Sequence, residues 1–260
     1  MITVLIPSYS RSFLLEKATI SVASNSRYKN NVIVLSPEKD KIYQDICDKN
    51  GAFLIDDHSR KDGRRVKSLW QILNYGIEVA KEDFVCWLND DCTVLKDWDL
   101  HALKYFQEED CGLVTLRTRH ASENKDFIII PTLYDVPCAN YGVIRKADGL
   151  RFDERFSWFH GDADIALQAE FLHRKTVYGT DEPCVIHEHH QDQIRASNEA
   201  DARSREDWIY LNKKWKGFSR IGTFRIYGFP ARIVNGARSA VAFCRRVREK
   251  LHAKKSAVST

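Results

Sequence analysis

The chain is read as an α/β protein whose mainly parallel sheet is flanked by helices, with a basic helical extension at its C-terminus. Three observations predict this. Short apolar runs alternate with segments of helical spacing through the first 90 or so residues. The 260 residues are 43% hydrophobic and 29% charged, enough for one sizeable core. Basic residues are concentrated at the end: the segment from 213 to 260 carries 13 Lys and Arg against one acid, Glu249. That leaves 27 basic and 35 acidic residues before it, an acidic body with a cationic tail.

Taken in order, "ITVLIP" is a first strand closed by Pro7, and "SYSR" a loop. "SFLLEKATISVAS" has mostly helical spacing. "NVIVLSP" is a second strand, and "DKIYQDICDKNG" a helix with Gly51 at the C′ position. "AFLID" is a third strand. "RRVKSLWQILNYGIEVA" is a helix, with Val66, Leu69, Leu73, Ile77 and Ala80 recurring every three or four residues. "FVCWL" is the fourth strand, and it runs straight into Asn89, Asp90 and Asp91. In such sheets ligands bind beyond the carboxyl ends of the strands. Residues 7–11, 36–39, 56–58 and 89–91 are therefore expected around one crevice.

The second half is less regular. "CGLVTLRTR", "DFIIIPTL" and "PCANYGVIRK" read as strands. "DADIALQAEFLHRK" reads as a helix with acids at its start and cations at its end, as the helix dipole favours. "KTVYGTDEPCVIHEHH" reads as a strand, a turn and a strand ending in histidines. The seven cysteines are odd in number and lack CxxC spacing, which favours reduced thiols packed as small hydrophobes in a cytoplasmic protein. The first residues lack the basic start and long apolar centre of a signal peptide. No uninterrupted apolar run approaches the roughly 20 residues of a membrane span.

Four motifs in this order resemble the family 2 glycosyltransferases of GT-A fold, nucleotide-diphospho-sugar transferases that include rhamnosyltransferase-like members. They are "IPSYSR", "NYGIEVAKEDFVCWLNDD", "FDERFSWFHGDADIALQ" and "VIH", and together they span about residues 1–190. The resemblance implies sugar transfer from a nucleotide-diphosphate donor to a glycan or lipid-linked acceptor, with inversion and a divalent cation, Mn²⁺ or Mg²⁺. It implies Asp91 as metal ligand, with His187 completing the shell and His189 as the alternative. Asp90 would contact the ribose or sugar. Asn89 replaces the family's first acid and would bond to the nucleotide. Asp162 would be the general base that takes the acceptor's proton, with Asp164 in support. Gly161 stands where the family carries the preceding acid of that pair. Pro7, Tyr9 and Arg11 would line the donor site, Arg11 reaching a phosphate. Ser36 or Glu38 would substitute for the family's uracil-reading aspartate. Leu73 stands at the family's helix arginine, whose charge Arg64, Arg65 or Lys67 would supply. Trp158 and Phe159 would stack on a sugar face or pack in the core.

The expected organisation is a catalytic domain over residues 1–212, divided into a nucleotide-binding half (1–92) and an acceptor half (93–212), followed by the extension 213–260. In that extension Ile233, Ala237, Val241, Cys244, Val247 and Leu251 form one stripe, with basic residues largely off it. This is the pattern of a helix lying on an anionic membrane surface; packing on the acidic body or gripping nucleic acid are the other readings. Two further alternatives are a transferase acting on modified nucleobases in DNA and a non-catalytic binding protein. A nucleotidyltransferase would want a glycine- and lysine-rich loop after the first strand, and "PSYSRSF" lacks glycine.

Overall fold

The computed structural model describes residues 1–37, 40–61, 64–120, 132–133, 136–188 and 198–216. Its strands are β1 (Ile2–Pro7), β2 (Asn31–Ser36), β3 (Ala52–Asp56), β4 (Arg60–Lys61), β5 (Arg64–Arg65), β6 (Phe84–Trp87), β7 (Cys92–Val94), β8 (Cys111–His120), β9 (Thr132–Leu133), β10 (Val136–Pro137), β11 (Gly142–Arg145) and β12 (Thr176–His187). Its helices are α1 (Ser12–Asn25), α2 (Lys41–Asn50), α3 (Leu69–Val79), α4 (Trp98–Leu103), α5 (Gly161–Leu167) and α6 (Asn198–Trp215).

Eight strands form one sheet in the order β3-β2-β1-β6-β11-β8-β12-β7. β3, β2, β1 and β6 are mutually parallel, as are β8 and β12, while β11 and β7 run antiparallel to their neighbours. The sheet is thus mainly parallel and helices cover both faces. Strand alternation sorts the core: Ile2, Val4 and Ile6 pack with α1, α2 and α4, whereas Leu5 packs with α3, α5 and the end of α6. Six cysteines, at 47, 86, 92, 111, 138 and 184, lie buried.

β1, β2, β3 and β6, with α1 and α2, form where the sequence places them. α2 ends as expected, with Gly51 in the left-handed region at φ 66° and its N–H returned to the helix. α3 begins later than its periodicity suggests. Ser68 caps it and Gln71 closes a reciprocal capping box, so Arg64 and Arg65 fall outside the helix and pair with Lys61 and Arg60 in the β4–β5 hairpin. The expected turn within 175–190 is absent: β12 runs unbroken from Thr176 to His187, taking up Gly179 and Pro183 as bulges against β8. α5 is short and passes into a π-helical turn over Gln168–Leu172. Most of "DFIIIPTL", together with Glu38, His189, His190 and the extension beyond residue 216, lies outside the described residues. No helix among the described residues is long and apolar enough to cross a membrane.

Candidate active site

β1 ends at Pro7, and the chain reverses through residues 8–11 into α1. Ser10 adopts φ 55°, a left-handed conformation costly for a residue with a Cβ. The reversal lets the buried Ser8 hydroxyl donate to Asp90 Oδ2 at 2.8 Å. Tyr43 of α2 braces the loop: its hydroxyl lies 3.3 Å from Ser8 Oγ and accepts the Arg11 amide at 3.2 Å. Arg11 then binds Asp90 through both Nε, at 3.2 Å, and Nη2. Tyr9 stays at the surface, with the Arg60 guanidinium 3.7 Å from its ring centre. Ser36 is fully buried at the end of β2, and its carbonyl accepts the Asp57 amide.

Asp90 and Asp91 are both buried beyond the carboxyl end of β6. Burial pushes the Asp90 carboxyl up to about 6, the neighbouring Asp91 adding to this and Arg11 and Ser8 pulling against it. The antiparallel pairing of β7 with β12 sets His187 opposite Cys92, and the Glu188 amide donates to the Asp91 carbonyl at 2.9 Å. This register carries His187 Nε2 to 3.3 Å from Asp91 Oδ2, with Arg11 Nη1 at 3.6 Å from the same oxygen. Tyr141 meets the His187 ring edge-on at 5.8 Å, and Asn89 donates to its hydroxyl at 3.3 Å. Asn89 therefore braces the ring that backs His187.

A cation fits this corner. Ligand atoms of Asp91, Cys92 and His187 lie within 4.8 Å of one another, all three residues buried. Burial holds the Cys92 thiol far above its ordinary range, the Asp91 carboxylate adding to this. The Asp91 carboxylate and the His187 imidazole offer an oxygen and a nitrogen donor, a pair compatible with Mn²⁺ or Mg²⁺.

The segment from 152 to 164 leads from the sheet into α5. Asn74 of α3 exchanges two hydrogen bonds with the Phe152 backbone, each 2.9 Å, and donates to Glu154. Gly76, two residues on, lets α3 lie on the sheet: a Cβ there would meet Leu5 and Leu35 at 2.7 Å. The asparagine and glycine of "NYGI" thus hold this segment in place. Phe152 and Phe156 are buried, and Trp158 and Phe159 are half-buried. His160, at φ 64°, turns the chain into α5. Asp162 is half-buried in the first turn of α5. Burial raises its pKa, while hydrogen bonds from the Ala163 amide and its own amide hold it back. Gly161 is not a vacant acid position: a Cβ there would meet the Trp70 ring at 2.5 Å. Asp164 is fully buried and accepts from Lys214 at 2.8 Å, the Trp215 indole at 2.7 Å and Gln168 at 2.7 Å, an anchor for α6.

Sequence reading missed Ser8, Tyr43 and Tyr141. Each acts through a long-range hydrogen bond or ring contact that no local pattern reveals. Leu73 is buried in the core, so no charge enters the site from that position.

A mainly parallel sheet with acids beyond β6 and a histidine returned to them by a late strand together define a GT-A-type architecture. The family model for glycosyl transferase family 2 matches residues 3–180, and the chain belongs to this family of glycosyltransferases. No curated protein matches its sequence. Among solved structures, it resembles the mannosyltransferase PcManGT from Pyrobaculum calidifontis, described in complex with GDP-Man and Mn²⁺, at 13% identity and TM-score 0.61, over 99% of this chain and 79% of that one. It resembles glucosyl-3-phosphoglycerate synthase from Mycobacterium tuberculosis, described with Mn²⁺, UDP and glucosyl-3-phosphoglycerate, at 13% identity and TM-score 0.60, over 82% of this chain and 79% of that one. S. aureus TarS is similar at 12% identity and TM-score 0.57 over 88% of this chain, which spans only 46% of TarS.

Proposed function

We propose that the protein transfers a sugar from a nucleoside-diphosphate donor to a glycan or lipid-linked acceptor, inverting the anomeric configuration with the help of a divalent cation. The observation that carries this reading is the buried contact between Asp91 and His187 at the carboxyl end of β6, 3.3 Å apart. With Arg11 beside them they form a pocket suited to a cation and the diphosphate it accompanies.

In this reading Asp91 and His187 hold Mn²⁺ or Mg²⁺, and the cation, when bound, neutralises the leaving diphosphate. Arg11 adds a fixed positive charge and orients Asp90 toward the ribose or sugar. Pro7, Tyr9, Ser36 and Asn89 line or brace the donor site. Asp162 takes the proton from the acceptor hydroxyl as it attacks the anomeric carbon, and its raised pKa makes it a stronger base than an exposed aspartate. The catalytic body is assigned to residues 1–215, three beyond the expected boundary at 212 because α6 continues to Trp215, and the cationic extension to the residues that follow, with the cytoplasmic face of a membrane as the surface that the extension meets.

A nucleotide-sugar panel measured with and without Mn²⁺ tests this, by thermal shift and by donor hydrolysis. UDP- or GDP-sugars should stabilise the protein, more strongly with the metal. If no nucleotide binds under either condition, the reading fails.

A further inference from the structure

Outside the Asp90–Asp91 corner, the crevice rim holds a second concentration of charge, and it is positive. The antiparallel β4–β5 pair presents Arg60, Lys61, Arg64 and Arg65 side by side. The Arg65 guanidinium lies 4.7 Å from the centre of the Trp158 ring. Arg203, from α6, lies 5.4 Å from the centre of the same ring. Arg60 is stacked on Tyr9 at 3.7 Å. The β4–β5 pair and α6, far apart in sequence, thus converge on two aromatic rings, bringing three guanidinium groups with them.

The convergence is built. Asp207, one turn beyond Arg203 on α6, is 4% exposed. It accepts the amides of Ser157, Trp158 and Phe159 and the Ser157 hydroxyl, each at 2.9 Å. Those four bonds fix the backbone that carries Trp158 and set its ring against Arg203. Like charges so placed repel: desolvation first, then Arg60 and Arg203, lower the pKa of Arg65, and Asp57 offsets part of this, although Arg65 itself is exposed, where solvent screens the repulsion. Guanidinium groups gathered on aromatic rings present planar donor forks that suit a phosphate or a carboxylate.

We propose that Arg60, Arg65 and Arg203, set around Trp158 and Tyr9, form a subsite for an anionic group on the acceptor, a phosphate or a carboxylate. The proposal rests on the transferase reading above and deepens it: the substrate that meets Asp162 carries negative charge. Trp158 lies on the segment that leads into α5, four residues before Asp162. An acceptor anchored there by its charge would have a hydroxyl to present toward the base.

The test uses the full chain and calorimetric binding of inorganic phosphate, glucose 6-phosphate, glucuronate and uncharged glucose, alongside UDP and GDP with Mn²⁺. Wild type should bind the charged sugars and not glucose, and the preferred anion separates phosphate from carboxylate. The variant Arg203→Gln should lose about tenfold or more in affinity for the preferred anion, the scale of one charge-assisted pair, with nucleotide binding unchanged. Arg203→Lys, which keeps the charge, should recover part of it and guards against a folding defect. Anion binding that Arg203→Gln leaves intact, or that wild type lacks, overturns the proposal. So does a parallel loss of UDP and GDP binding, which would assign the cluster to the donor's diphosphate. Failure of wild type to bind any nucleotide strikes the transferase reading instead.

Discussion

Asp162 and Asp91 divide the proposed chemistry between them, and single substitutions separate their roles. Asp162→Asn removes the base while keeping shape. Transfer should fall by about 10²–10⁴-fold, the usual worth of general-base catalysis, with donor binding retained. Near-normal turnover would take Asp162 out of the mechanism. Because burial raises its pKa, the active carboxylate form is gained at higher pH than for an ordinary aspartate. The acid limb of the transfer rate should therefore lie above the usual aspartate range and vanish in the Asn variant. The same shift carries a stability cost of opposite sign: the folded state favours the protonated acid, so this contribution is lost as pH rises through the folded pKa. Asp91→Asn and His187→Ala address the cation. Outer partners of metal ligands alone change affinity by about 10–100-fold, so loss of a direct ligand should raise the Mn²⁺ needed for half-maximal activity by at least about tenfold. Unchanged metal dependence in both variants would move the cation elsewhere. At this scale the sequence was partly readable. Adjacent acids after an apolar strand announce themselves, but Ser8 and Tyr43 are ordinary residues until folding brings Asp90 to them.

The elements legible in the sequence are those that bury apolar side chains on a regular period. β1, β2, β3 and β6 are short apolar runs because a central parallel strand is covered on both faces. β7 has three residues and α4 six, too short for any period to show. α6 escaped for another reason. Of its described side chains only Asp207, Leu211 and Trp215 are buried, and polar bonds moor it: Asp207 to the 157–159 amides, Lys214 to Asp153 and Asp164, Trp215 to Asp164. Its hydrophobic pattern is correspondingly weak. Asp164→Asn should therefore destabilise the fold strongly although it lies beside the proposed base. Removing one member of a buried charged pair costs about 3–5 kcal/mol, measurable by urea unfolding. A loss below about 1 kcal/mol, the value of an exposed ion pair, would show that α6 is held by its apolar contacts instead. The mooring also has a pH signature. At Asp153, burial pushes the pKa up, but hydrogen bonds from Arg155, Lys214 and Tyr210 outweigh it and hold the carboxyl well below its ordinary range. That stability is present above the unfolded value of about 3.9 and is lost as pH falls toward the folded pKa. Asp153→Asn should flatten the acid limb of the unfolding curve.

For the whole molecule, charge is the organising quantity. Residues before 213 carry 35 acids against 27 bases, yet the crevice rim gathers Arg60, Arg65 and Arg203, and the extension holds 13 more cations. Such a distribution draws an anionic partner to two places and repels it from the rest. If the extension meets lipid, the full chain should sediment with vesicles rich in anionic phospholipid at low salt, and a chain ending at residue 216 should not. Binding should weaken as salt rises. Sedimentation by the shortened chain would assign the contact to the body. A salt-sensitive shift of DNA with no vesicle binding would favour the nucleic-acid reading.

The close approach of Trp70 to Gly161 has an evolutionary reach. The family block that this chain resembles carries an acid at position 161, yet here an indole from α3 fills that space, 2.5 Å from where a Cβ would stand. The two sites can change only in concert. The substitution Gly161→Glu alone would have to displace a buried ring, and Trp70→Ala alone would leave a void against Phe152, whose ring centre lies 5.1 Å from that of the indole. Only the double exchange gives the acid a place to stand, so the two positions should show strong non-additivity in a mutant cycle.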